Sequence, residues 1–184
     1  MDLKKIIKLC LKNDERAFNK LYHKYSPIFG GICRRYTYSL EEIDDILQEA
    51  FISIFNNLHQ LKEAKLFEPW AKRIVINTAI KTISSHNTFY LNIEDYKLDI
   101  TENEESNSKN IIDKMDITEL IKLMDLLPTG YKTILNLYAV EEFSHKEIGE
   151  ILNIKEATSR SQYFKAKRAF QNILLKKITE ENHE

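Results

Sequence analysis

Two stretches of this sequence combine cations and aromatic rings at helical spacing, the pattern that contacts nucleic acid. In Thr158-Ser159-Arg160-Ser161-Gln-Tyr-Phe-Lys-Ala-Lys-Arg168 and the residues after it, a wheel of 3.6 residues per turn gathers Tyr163, Ala166, Phe170, Ile173 and Leu174 into one apolar stripe. Arg160, Ser161, Phe164, Lys165, Lys167 and Arg168 are left outside. An α-helix fits the major groove of a DNA duplex, where Arg and Lys meet guanine acceptors or phosphates and a ring such as Phe164 meets a thymine methyl. A merely solvated basic face has the same composition. What separates the two is the segment just before it: Ser144 and Glu147 form a capping box that opens a short helix with Ile148, Ile151 and Leu152 inward, and Asn153-Ile154 ends it. Two helices so closely joined read as a helix-turn-helix.

The second stretch runs from about Glu68 to Ser85, where Arg73, Asn77, Lys81 and Ser84 share a narrow polar sector with Trp70. Cationic tracks with aromatic platforms hold single strands, because unstacked bases regain stacking on rings and an Asn amide can read a base edge. Trp70 has a second reading as a core anchor, the commoner use of tryptophan. The preceding Lys62-Glu-Ala-Lys65-Leu-Phe67 adds Lys62, Lys65 and Phe67 as the wall of a pocket. A third surface lies on the helix expected over Glu41 to Leu58, whose core stripe is Ile43, Leu47, Ala50, Ile54 and Leu58. Its other face carries Asp45, Gln48, Glu49 and Ile52, and an apolar side chain within an acidic stripe suits protein docking, though single exposed apolars are common.

These surfaces need helices to hold them, and composition points to an all-α fold. Four Gly and three Pro in 184 residues leave few turns, while 43% of the chain is hydrophobic. Apolar positions recur at helical spacing through Ile6, Leu9 and Cys10, then Phe18, Leu21, Tyr22 and Tyr25, and a capping box of Ser39 and Glu42 opens the next helix. Residues 1–87 are expected to form a first helical domain. Residues 88–115, with Ile100-Thr-Glu-Asn-Glu-Glu-Ser-Asn-Ser-Lys109, lose that periodicity, and so polar a stretch reads as a flexible acidic linker. Periodicity resumes at Ile117, Pro128 suits a first helical turn, and a second domain is expected over 116–178, with 179–184 as a tail.

The formal net charge is only −1, from 27 Lys and Arg against 28 Asp and Glu, so any nucleic-acid contact must be local. The charges do segregate: Lys155, Arg160, Lys165, Lys167, Arg168, Lys176 and Lys177 crowd the C-terminal part, and Glu94, Asp95, Asp99, Glu102, Glu104 and Glu105 the middle. Cys10 and Cys33 stand far apart and the five His are scattered, which suggests neither disulfides nor a metal site, and no cofactor is indicated. There is no phosphate-cradling Gly loop and no catalytic constellation, so the chain is not expected to be an enzyme. Without a signal-peptide core or a membrane-length apolar run, the expected setting is a bacterial cytoplasm, with no membrane insertion.

In this order, the three surfaces resemble the extracytoplasmic-function sigma factors, the small two-domain branch of the primary sigma family. Ala17-Phe-Asn-Lys-Leu-Tyr-His-Lys-Tyr25 is similar to the opening helix of that family's second region, and Ile43-Asp-Asp-Ile-Leu-Gln-Glu-Ala-Phe51 to its polymerase-docking helix. Phe67-Glu-Pro-Trp-Ala-Lys-Arg-Ile-Val-Ile-Asn-Thr-Ala79 is similar to the segment that opens and reads the minus-ten promoter element. Leu127-Pro, Phe143-Ser-His-Lys-Glu-Ile-Gly-Glu-Ile-Leu-Asn-Ile154 and Thr158 to Ala169 resemble the fourth region, which reads the minus-thirty-five element. The resemblance implies promoter DNA and core RNA polymerase, through its clamp coiled coil and flap, as partners, and it allows for an anti-sigma factor. It implies Asp45, Gln48, Glu49 and Ile52 as docking residues. Lys62, Lys65, Phe67, Trp70, Arg73, Asn77, Lys81 and Ser84 would serve the minus-ten element. Thr158, Ser159, Arg160, Ser161, Phe164, Lys165 and Arg168 would serve the minus-thirty-five element.

Three departures bear on these expectations. Thr82-Ile-Ser-Ser-His-Asn-Thr88 replaces a dense Arg run, Lys155-Glu-Ala157 stands where Ser-x-Gly is common, and Gly30-Gly31 invites a kink in a long helix. A rival reading is a conventional helix-turn-helix regulator with an N-terminal sensing or dimerisation domain. A second rival, a protein-binding helical adaptor, leaves the basic C-terminal face without a purpose.

Overall fold

The computed structural model describes residues 2–86 and 117–181, and the chain divides into two compact units, Met1–His86 and Asn87–Glu184. The expected linker, 88–115, lies outside the described residues. Every regular element among those described is helical.

The first unit contains α1 (Leu3–Cys10), α2 (Glu15–Cys33), α3 (Leu40–Asn57) and α4 (Phe67–His86), with short 3-10 turns at Leu58–Gln60 and Ala64–Leu66. Each of the first three starts at a side-chain cap, which satisfies amides that have no partner inside the helix. Asp2 accepts from Lys4 N, Asp14 from Ala17 N at 2.9 Å and Ser39 from Glu42 N at 3.3 Å. At Ser39 the capping box takes a different route from the one its spacing suggests. The Glu42 carboxylate accepts from Thr37 Oγ1, and that oxygen accepts from Ser39 N at 3.2 Å. α2 continues unbroken through Gly30 and Gly31, where the sequence invites a kink. A Cβ on Gly30 would stand at ordinary contact distance, 3.7 Å, from Leu47 Cδ1 of the neighbouring helix.

The core of this unit is aromatic and aliphatic, with Leu21, Phe29, Ile46, Ile54, Phe67 and Ile76 fully buried. Tyr25 joins α2 to α4, its ring centroid 4.9 Å from that of Phe67, and Phe29 meets Phe51 of α3 at 5.7 Å. Burying each such side chain contributes roughly 1.5–3 kcal/mol, so the packing orients the outward faces of α3 and α4.

The second unit contains α5 (Ile117–Met124), α6 (Thr129–Leu135), a π-helical turn (Asn136–Val140), α7 (His145–Leu152) and α8 (Glu156–Glu181). Pro128 is the N-cap of α6, one place before the first-turn position that suits proline. α8 runs to Glu181, so residues 179–181, expected in the tail, are helical. Met124, Leu127, Tyr131, Leu135, Ala166 and Ala169 form a core cluster, flanked by Tyr163, Phe170 and Ile173.

The tight corner between α7 and α8 depends on two residues. Asn153 takes the left-handed conformation, at φ 53° and ψ 45°, and Ile154 N donates to Gly149 O at 2.9 Å. A Cβ on Gly149 would lie 2.7 Å from Ile154 O, so only glycine lets the turn close this far. At the start of α7 the Ser144–Glu147 capping box forms in full, with Ser144 N donating to Glu147 Oε2 at 2.9 Å.

Candidate nucleic-acid interface

α8 leaves its N-terminal half to solvent on one side. Arg160, Ser161, Phe164 and Lys167 are exposed, and Thr158, Lys165 and Arg168 half-buried. Phe164 is 51% exposed, a large apolar ring on an otherwise polar face, and the Arg168 guanidinium lies over it at 4.4 Å from the ring centroid. That cation–π contact pre-orients the guanidinium without consuming its in-plane donors. Arg160 is ion-paired with Glu156 one turn earlier.

Ser159 departs from expectation. It is fully buried, and its Oγ shares a 3.1 Å hydrogen bond with His145 Nδ1 of α7, so it faces the supporting helix and cannot reach a groove. The His145 ring stacks on Tyr138 at 4.3 Å and 13° and lies 5.7 Å from Tyr163. Burial, then the Arg160 charge, holds the imidazole below its ordinary pKa of 6.5, against an opposing pull from Glu156.

On α4, Arg73, Asn77 and Lys81 are exposed along one face, while Trp70 is half-buried, its ring 6.1 Å from Phe67. Trp70 therefore combines its two readings, anchored on one side and open on the other. Phe67 does not line a surface pocket: it is fully buried against Tyr25, because it closes the core at the first residue of α4. Ser84 belongs to α4, and its side chain lies outside the described residues. Lys62 and Lys65 do border a concavity of about 610 Å³, lined also by Glu63 and Ala64 and, from α1, by Asp2, Leu3 and Lys4. The α1 contribution is not foreseeable from local pattern, since only the tertiary fold brings residue 4 to residue 62.

On α3, Asp45, Gln48 and Glu49 are exposed and Ile52 is 56% exposed. Tyr22 of α2 is 38% exposed, its ring 4.7 Å from that of Phe51, and Phe18 meets Phe55 at 4.6 Å. These rings form a second apolar edge along α2 and α3. Among the described residues no group of His, Cys, Asp and Glu could hold a metal ion. Burial pushes the Cys10 and Cys33 thiols up to about 11 and about 12, which leaves both protonated and unreactive at neutral pH.

Comparison with known proteins bears on both units. The sigma-70 region 2 family matches residues 21–88 and the sigma-70 region 4 family residues 117–170. The ECF RNA polymerase sigma factor SigW of Bacillus subtilis (strain 168) is 29% identical, over 95% of this chain and 97% of its own. The ECF RNA polymerase sigma-E factor of Escherichia coli (strain K12) is 26% identical over 88% of each chain. Among solved structures, the sigma factor RpoE of Bartonella quintana, in complex with the anti-sigma factor NepR, has the same fold. It gives a TM-score of 0.52 at 13% identity over 85% of this chain and 96% of its own. CnrH, in complex with the cytosolic domain of CnrY, gives 0.50 at 16% identity over 95% and 98%.

An all-helical pair of units with a region 2 and a region 4 defines a transcription initiation factor that works with RNA polymerase. The chain belongs to the sigma-70 family, as one of its extracytoplasmic-function sigma factors. It binds the polymerase and directs promoter recognition. The reading as a conventional helix-turn-helix regulator is set aside, because region 2 occupies the unit that such a regulator would use for sensing or dimerisation. No described helix is long and apolar enough to cross a membrane.

Proposed function

We propose that the three exposed faces divide the work of initiation. Arg160, Ser161, Phe164, Lys165 and Arg168, with Thr158 at the margin, bind the duplex minus-thirty-five element. Trp70, Arg73, Asn77 and Lys81 hold the melted minus-ten strand beside the Lys62–Lys65 concavity. Asp45, Gln48, Glu49 and Ile52 dock on the polymerase clamp. The observation that carries this reading is Arg73, Asn77 and Lys81 in line and exposed on one helix that also carries a half-open tryptophan. Cations there neutralise phosphates, the ring restacks a base and the amide offers paired donor and acceptor groups to a base edge. Capture of a flipped base offsets part of an unstacking cost of a few kcal/mol.

No step needs covalent chemistry by this chain, and its place of work is the bacterial cytoplasm, where the polymerase is. An anti-sigma factor is a further partner in this reading, which gains support from the complexes that the relatives CnrH and RpoE form with CnrY and NepR. The test is reconstituted transcription by purified core polymerase on a genomic promoter library. Adding this chain produces a defined set of new start sites that share two spaced elements; no chain-dependent start would overturn the reading.

A further inference from the structure

In the second unit, the side chains beneath the DNA-facing surface are as organised as those on it. Ser159 is fully buried in the first turn of α8, at a position flanked by Thr158 and Arg160. Its hydroxyl bonds to His145 Nδ1 at 3.1 Å, in the first turn of α7. The same imidazole lies flat on Tyr138 of the π-helical turn, 4.3 Å away, and Tyr138 in turn meets Tyr163 of α8 at 4.3 Å. One ring of the supporting helix therefore touches two other elements, the turn before the motif and the recognition helix. A neutral imidazole offers one donor and one acceptor, and a hydroxyl can meet either, so the bond is satisfied without a water.

We propose that His145 is a positioning residue for promoter reading: through Ser159 and its contacts with the Tyr138 and Tyr163 rings it fixes the rotation and depth of α8, and so where Arg160, Ser161 and Phe164 meet the groove. The inference rests on the assignment of α8 to duplex DNA. The chemistry follows from placement. Arg160 and Ser161 directly follow Ser159, and Phe164 directly follows Tyr163, so a small rotation of α8 about its axis moves the reading side chains by a comparable arc. Base-edge hydrogen bonds weaken steeply with misalignment, whereas phosphate attraction tolerates it. Loss of the pin is therefore read as loss of discrimination more than of total affinity. The π-helical turn acquires a role as well, since it carries the Tyr138 ring that faces the imidazole.

The experiment uses the full chain in holoenzyme with two duplexes, a promoter selected by the wild type and the same promoter with its minus-thirty-five element scrambled. The readout is the affinity ratio between them. Ser159→Ala and His145→Phe each lower that ratio about fivefold to tenfold, as expected for a lost buried hydrogen bond, and the double variant is no worse than the worse single one. His145→Asn, whose amide takes the place of Nδ1 but which lacks the ring that Tyr138 meets, falls between His145→Phe and wild type. Ser159→Ala keeps the wild-type helix content, and the assay is run well below the unfolding midpoint of each variant, which separates aim from folding. Arg168→Ala is the reference for the underlying assignment. If Arg168→Ala weakens duplex binding while Ser159→Ala and His145→Phe keep the wild-type ratio, the positioning role is overturned and the α8 assignment stands. If Arg168→Ala also binds as wild type, both fall together.

Discussion

Lys81 Nζ of α4 stands 3.3 Å from Glu49 Oε1 of α3, so the last exposed cation of the proposed single-strand face is paired with an acid of the proposed docking face. Both side chains are well exposed, 79% and 55%, and such a pair contributes at most about 1 kcal/mol to folding. Its weakness makes it easy to exchange: a polymerase cation can take Glu49, and a phosphate Lys81. In holoenzyme at saturating core, Lys81→Met should lower the salt slope for single-strand binding by about 0.7, one phosphate contact's share, while Glu49→Gln leaves it unchanged. An unaltered slope in Lys81→Met would mean that Lys81 serves Glu49 alone.

Ile52 is 56% exposed between acids, so charging it should spare the fold and harm docking. Ile52→Asp and Asp45→Lys are expected to weaken core association about tenfold or more, as central contacts of an interface do, with circular dichroism unchanged. Native pull-down with both variants checks this. Wild-type retention by both would remove α3 as the docking helix.

Gly149 controls the corner of the helix-turn-helix through its 2.7 Å clearance to a backbone oxygen. Gly149→Val should destabilise the second unit by roughly 1–3 kcal/mol, because backbone must move to admit the side chain. Hydrogen exchange of the α7 and α8 amides reads this change directly. The first unit, reported by Trp70 fluorescence, should stay as it was.

The charge on His145 gives the second unit a pH dependence. Its imidazole faces Ser159, Tyr163, Glu156 and Arg160 on α8 and Tyr138 on the π-helical turn, and is held below its ordinary value by burial and Arg160. Folding therefore favours the neutral ring. This contribution is complete above the unfolded pKa of 6.5 and is lost as pH falls through the lower folded value. Between about pH 7.5 and about pH 5.5, exchange protection of α8 should fall more in wild type than in His145→Asn, which has no titrating ring. Equal falls would assign the dependence to other groups.

Much of this organisation is legible in the sequence because its signals are local. Ser39, Ser144 and Asn153 mark helix ends by hydrogen bonding within a few residues, and the outward set of α3 follows from a stripe broad enough to read on a wheel. The signals that fail are tertiary. Ser159 is not among them: it lies four, seven and eleven residues before Tyr163, Ala166 and Phe170, so the apolar stripe itself extends to it, and its assignment to the groove comes from the family resemblance and not from the wheel. Phe67 looks like a loop residue until α2 brings Tyr25 against it. The π-helical turn at Asn136–Val140 has no distinct periodicity over so few residues, and the approach of Lys4 to Lys62 has no local signature at all.

Asn77 is exposed on α4, with an amide that can read a base only once the duplex opens. Holoenzyme carrying Asn77→Ala should bind double-stranded promoter nearly as wild type but open it slowly. Its affinity for an artificial minus-ten bubble should fall by roughly 1–3 kcal/mol, the worth of a stacked or paired base. Wild-type bubble affinity together with a wild-type opening rate on linear promoter would contradict the assignment of this face to the melted strand.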